Sequence, residues 1–177
     1  MPRIPYQPLD LAEPADIVNA VRQRRGGTLI NLDRMLLHSP AFASGWNTFL
    51  REVRTGLHLS PRLRELAMCV VAVLNGAEYE FHHHAPEFLA AGGNKQQVQA
   101  MRDPVRAATD ANLFDATERA ALQLTIEMTR NVTVSDETFA AVRAALGSEQ
   151  DVVELVGVIA TYNMVSRFLV ALGVEPE

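Results

Sequence analysis

SPRLRELAMCVVAVLNGAEYEFHHHAPEFLAAGG, residues Ser60–Gly93, decides how this chain folds. Ser60 followed by Pro61 marks a helix start, because serine caps orphan amides and proline needs no amide donor in the first turn. Leu66 to Leu74 is wholly apolar. Its valines would suit a buried strand, but the length, the Leu and Ala content and the Ser-Pro start favour a helix. Asn75 and Gly76 break it, a second helix starts near Ala77, and Gly92 and Gly93 end that one. Pro86 lies inside the second helix, where it frees the carbonyl of His82 and predicts a kink.

Helix punctuation of the same kind runs outward in both directions. Pro14 opens a helix through DIVNAVRQRR that stops at Gly26 and Gly27, and LINLDRMLLHS and PAFASGWNTFLREVR follow, divided at Ser39 and Pro40. Asn94 with Gln97 and Asp115 with Glu118 have capping-box spacing, so each pair satisfies free amides at a helix start. Ser135 opens another helix, and Ser148 opens a last long one closed by Gly173. No repeat or long linker interrupts the pattern. The expectation is an all-α fold, a single compact multi-helix domain over residues 1–177, a length that suits one core. The last helix is apolar on most of its circumference and needs cover on every side, which predicts a homo-oligomer.

Composition narrows the function classes. With 16 Lys and Arg against 21 Asp and Glu the net charge is −5, and no basic block exceeds the Arg22–Arg25 cluster, so nucleic-acid binding is disfavoured. MPRIPYQPLDLAEP lacks the apolar core of a secretory signal, and no segment holds roughly 18 uninterrupted apolar residues, so a cytoplasmic protein without a membrane span is expected. Cys69 is the one cysteine. It cannot form an intramolecular disulfide or a redox dithiol.

The titratable residues gather after the apolar run. At about 100° per residue, Glu80 and His84 share one helix face, while His82, His83 and His84 fan out in three directions and cannot all reach one metal. A carboxylate beside an imidazole can shuttle protons near neutral pH, although a surface pair at this spacing also occurs simply as a helix stabiliser of a few tenths of a kcal/mol. Glu65, early in the preceding helix, either favours that helix's N-terminal dipole or points across to the Glu80 and His84 face. Tyr79 can donate its phenol to a developing oxyanion, or anchor its helix. A metal held by Glu80, a histidine and Glu65 is chemically reasonable but matches no zinc or iron spacing, and no cofactor is expected. Cys69, among Met68, Val70 and Val71, reads as a buried inert thiol.

The block RELAMCVVAVLNGAEYEFHHHAPEFLAAGG resembles the core motif of the carboxymuconolactone decarboxylase superfamily, which includes the alkylhydroperoxidase D proteins. RRGGTLINLDRMLLHSP, GWNTFLREVR and TYNMVSRFLVALG are similar to segments of a cysteine-free branch, so the likeness covers most of the chain. Peroxidase members carry NGCxxCxxxH preceded by a relay glutamate. On this chain Asn75 and Gly76 match, the cysteine positions fall on Ala77 and Glu80, the relay histidine on His84 and the glutamate on Glu65. Ala77 and Glu80 can neither attack a hydroperoxide nor close a disulfide. The resemblance implies a compact all-helical dimer, trimer or hexamer with sites near subunit contacts.

The expected function is therefore acid/base chemistry on a small carboxylated or lactone-like substrate, in the manner of the decarboxylase branch, with Glu80 and His84 as proton-transfer pair. Glu65 would orient His84 and Tyr79 would serve the oxyanion. Arg167, after Tyr162 and Asn163 on the last helix, would hold a substrate carboxylate in its planar fork, with Trp46 and His83 lining the site. Two other readings stay open: peroxide removal through a metal or an external thiol, and a non-catalytic small-molecule-binding oligomer.

Overall fold

The computed structural model describes residues 1–177, and every regular element in it is a helix. The chain falls into two compact units, Met1–Leu57 with Leu169–Glu177, and His58–Phe168.

The first unit carries α1 (Ala15–Arg24), α2 (Asn31–Leu36) and α3 (Pro40–Thr55). Both α1 and α2 pack on α3. Asp33 is the electrostatic centre of the unit. Its carboxylate is almost fully buried, accepting from Arg25 Nε at 3.0 Å, from Arg24 Nη2 at 3.4 Å and from the Ile30 amide at 3.2 Å. The Arg24-Arg25-Gly26-Gly27 turn thus ends α1 and delivers two cations to one buried acid, the condition under which burying a charge is tolerable.

The second unit is built around α4 (Pro61–Asn75), which packs against α5 (Glu78–Ala90) and α8 (Ala116–Asn131). The valine run is helical, as its length and start favour. Ser60 Oγ accepts from the Leu63 amide at 3.3 Å, and Gly76 turns the chain with φ 66°. Leu66, Met68, Cys69, Val70 and Val71 have no exposed surface; the larger aliphatic side chains among them each contribute about 1.5–3 kcal/mol by leaving water. The helix α5 continues through Pro86 to Ala90. The short helix α6 (Lys95–Ala100) begins at the Asn94–Gln97 capping box and α8 at the Asp115–Glu118 box, each with both reciprocal bonds formed.

Between those two lies α7 (Pro104–Ala107), one turn that periodicity does not reveal. Asp103 caps it by accepting from the Arg106 amide at 3.3 Å. Ser135 caps α9 (Asp136–Leu146), accepting from the Thr138 amide. The long α10 (Glu149–Leu172) runs out of this unit into the residues of the first. Its length and hydropathy would suffice to cross a membrane, yet half of its apolar window is buried within the molecule. Val152, Leu155, Ile159, Tyr162 and Ser166 form a buried stripe at helical spacing, as in a core helix. Val153, Gly157, Ala160 and Met164 lie on the exposed side, so the cover predicted all round this helix exists on one side only.

Candidate active site

The turn at Asn75 and Gly76 folds α5 back along α4, and this brings Glu65 of α4 to His84 of α5. His84 Nδ1 lies 2.7 Å from Glu65 Oε2, in a setting where their side chains are 8% and 15% exposed. With Nδ1–H donating to the carboxylate, the neutral ring keeps Nε2 as its proton-accepting nitrogen. Tyr162, fully buried on α10, sets its ring edge-on to His84 with centroids 4.9 Å apart. A carboxylate on one side and an aromatic ring on another hold the imidazole in a defined orientation.

One turn before His84, Glu80 is 2% exposed and accepts a hydrogen bond from the hydroxyl of Ser166, which has no exposed surface. Sequence reading misses Ser166. The signal was a hydroxyl four residues after Tyr162, on the face of an apolar helix that turns out to be buried. Glu65, Glu80, His84, Tyr162 and Ser166 therefore lie where α4, α5 and α10 meet.

The three histidines occupy three environments: His84 buried, His83 half-buried and His82 exposed. His83 stacks against Tyr79 with centroids 4.4 Å apart and meets His82 edge-on at 5.3 Å. Tyr79 itself is 5% exposed. No three His, Cys, Asp or Glu side chains converge in the geometry a metal ion requires.

A polar network flanks the cluster. Asn75 Nδ2 donates to Asn163 Oδ1 at 3.1 Å, and Asn163 Nδ2 donates to Thr129 Oγ1 and to the Ile159 carbonyl, each at 3.0 Å. Arg167 Nη1 donates to the carbonyl and side-chain oxygens of Asn163 at 2.9 and 2.7 Å. The motif asparagine thus fastens the α4–α5 turn to α10 and α8, and Arg167, exposed, is steadied by the same residue. Trp46 belongs to the first unit, buried with its ring edge-on to Phe42 at 5.6 Å.

Cys69 lies one turn beyond Glu65 on α4 with no exposed surface. Burial pushes its thiol well above the ordinary range, and the negative charge of Glu65 pushes it further. A thiol held protonated and shielded from solvent is a poor nucleophile.

Residues 40–127 match the model of the carboxymuconolactone decarboxylase family. The fold is shared with a peroxidase-related protein from Ralstonia eutropha JMP134 described as an alkylhydroperoxidase AhpD core, with TM-score 0.84, 18% identity, and 99% of this chain and 92% of that one covered. A peroxidase-related protein from Silicibacter sp. TM1040 matches with TM-score 0.83 and 19% identity over 99% and 92% of the two chains. The debrominase Bmp8, in complex with 2,3,4-tribromopyrrole, matches with TM-score 0.77 and 19% identity over 98% and 92%. At such identities the likeness establishes fold and leaves chemistry to the site. No curated protein matches the sequence.

Proposed function

We propose that this chain, whose residues 40–127 match the carboxymuconolactone decarboxylase family model, is a member of that family and a thiol-independent acid/base enzyme acting on a small carboxylated or lactone-like molecule. The observation that carries this reading is the Glu65–His84 bond at 2.7 Å in a nearly buried setting. A general base needs a fixed tautomer and a partner that stabilises its protonated form, and Glu65 supplies both. Glu80, with Ser166 as donor, places a second carboxylate one turn from His84.

In a decarboxylation the carbon–carbon bond to the carboxylate breaks and carbon dioxide leaves. The electron pair moves to the neighbouring carbonyl oxygen as an enolate, and His84, having taken a proton from water at Nε2 and being held as imidazolium by Glu65, delivers that proton to carbon. Tyr79 is the proposed donor to the enolate oxygen. Arg167 is the proposed anchor for a further carboxylate, through the guanidinium nitrogens that do not face Asn163. His83 remains a proposed contact of the substrate. The buried, protonated Cys69 gives no support to a thiol-peroxidase reading.

The test is a panel of small lactone acids and keto acids followed for carbon dioxide release with the purified protein and with His84→Gln and Glu65→Gln. Turnover of one compound, falling about 100-fold or more in His84→Gln and less in Glu65→Gln, supports the assignment. Turnover unchanged in His84→Gln rules out the dyad as its source. The reading also includes a homo-oligomer, supported by the exposed Val153 and Met164 on α10 and tested by light scattering of the eluted protein.

A further inference from the structure

The stretch from Lys95 to Leu113 forms a cleft of about 620 Å³ on the second unit, and none of Glu65, Glu80 or His84 lines it. Its volume falls in the range of small-molecule sites. Three cations line it, Lys95, Arg102 and Arg106, together with the apolar Ala100, Ala107 and Leu113. With Asp103 and Asp110 also in the lining, the cleft carries one positive charge net in a chain of net charge −5.

The five charged groups of the lining are not equally available. Arg102 is engaged outside the cleft, donating to both oxygens of Glu78 at 2.7 and 2.9 Å and lying 3.6 Å over the Phe81 ring. Asp103 accepts from the Arg106 amide at 3.3 Å and Asp110 from the Asn112 amide at 3.0 Å, so both carboxylates are bound to backbone. Lys95 and Arg106 have no carboxylate partner, and both are exposed.

We propose that this cleft is a binding site for a small organic carboxylate, with Lys95 and Arg106 taking the anion and Ala100, Ala107 and Leu113 taking its apolar body. A guanidinium fork and an ammonium lining one cleft match a carboxylate in charge, and the fork matches it in shape. The acids Asp103 and Asp110 oppose a doubly charged phosphate more than a singly charged carboxylate, which sets the preference between the two. The apolar lining gives an aromatic or short aliphatic acid an advantage over an inorganic anion. Through Arg102 and Glu78 the cleft lies one ion pair from α5, the helix that carries Glu80 and His84.

The experiment uses the full chain with methyl-labelled alanine and leucine, titrated with benzoate and, separately, with neutral benzamide and inorganic phosphate. Benzoate is expected to shift the methyl signals of Ala100, Ala107 and Leu113 saturably, with benzamide and phosphate much weaker. The Lys95→Gln, Arg106→Gln double variant, altered at two exposed positions, is expected to weaken benzoate binding about tenfold, since each of two solvent-exposed charge contacts is worth roughly threefold. Glu65→Gln with His84→Gln is expected to leave it unchanged, so that the proposed acid/base function and this site stand or fall separately. Absence of a saturable shift, equal binding of benzamide or of phosphate, or undiminished affinity in the double variant would overturn the assignment.

Discussion

Ser166 donates its hydroxyl proton to Glu80 across a sequence separation of 86 residues, and both side chains are buried. A hydrogen bond to a buried carboxyl oxygen is worth more than a surface one, because water cannot take the place of the lost partner. Ser166→Ala removes that donor without crowding. We expect a loss of about 1–3 kcal/mol in urea unfolding at pH 7. Ser166→Thr, which retains the hydroxyl, should recover part of it. A stability of Ser166→Ala equal to the parent would show that Glu80 does not depend on this bond.

Glu127, in the last turns of α8, fastens that helix to the start of α9. Its carboxylate accepts from the Thr138 hydroxyl at 2.5 Å, the Ser135 amide at 2.8 Å and the Gln123 side-chain amide at 2.9 Å. These donors hold its pKa at about 2, below the ordinary 4.5. A pKa lowered on folding means stability that is present above 4.5 and is lost as pH falls towards about 2. The urea midpoint of Glu127→Gln should therefore lie below that of the parent at pH 7, with the gap closing between pH 4.5 and 2. A gap independent of pH across that window would assign the effect to packing instead of charge.

The helix starts at Ser60, Asn94, Asp115 and Ser135 were legible because a cap is a local device: side chain and amide lie three residues apart, and spacing alone reveals them. The single turn α7 was not, since four residues hold no period. At the site, the shared face of Glu80 and His84 follows from helix geometry, whereas the bond from His84 to Glu65 depends on how α5 folds back on α4. Ser166 lay further out of reach. Its role depends on which side of an almost uniformly apolar α10 faces α5, and hydrophobicity that is even around a helix does not point. The same evenness concealed that Val153 and Met164 would be exposed.

His58 and Asp151 join the approach to α4 with the first turn of α10, Nδ1 to Oδ1 at 2.9 Å. The hydrogen bond to Asp151, and then its charge, raise the His58 pKa above 6.5. A raised histidine pKa contributes stability that is full below 6.5 and lost as pH rises through the folded-state value. His58 is open to solvent, so the readout is its own titration and not the global melt. In an NMR titration Asp151→Asn should bring the His58 midpoint down towards 6.5. An unmoved midpoint would show that the pair does not persist in solution.

Gly93 is small because of its neighbour and not because of its backbone angle. A Cβ there would fall inside the contact distance of the Phe88 ring. Phe88 has no exposed surface and lies beneath the Arg62 guanidinium, 5.6 Å from the ring centroid, so it has little room to yield. Arg62 in turn donates to Glu118 Oε1 at 2.7 Å and to the Gly92 carbonyl, which fixes the chain at this exit from α5. Gly93→Ala should cost about 1–3 kcal/mol, the usual effect of overpacking a filled core. Phe88→Leu is itself destabilising because it leaves a void, but it makes the space that the added methyl group needs. The two costs should fall short of additive by about 1 kcal/mol in a double-mutant cycle read by urea unfolding. Strict additivity would mean that the ring is not what excludes a side chain from position 93.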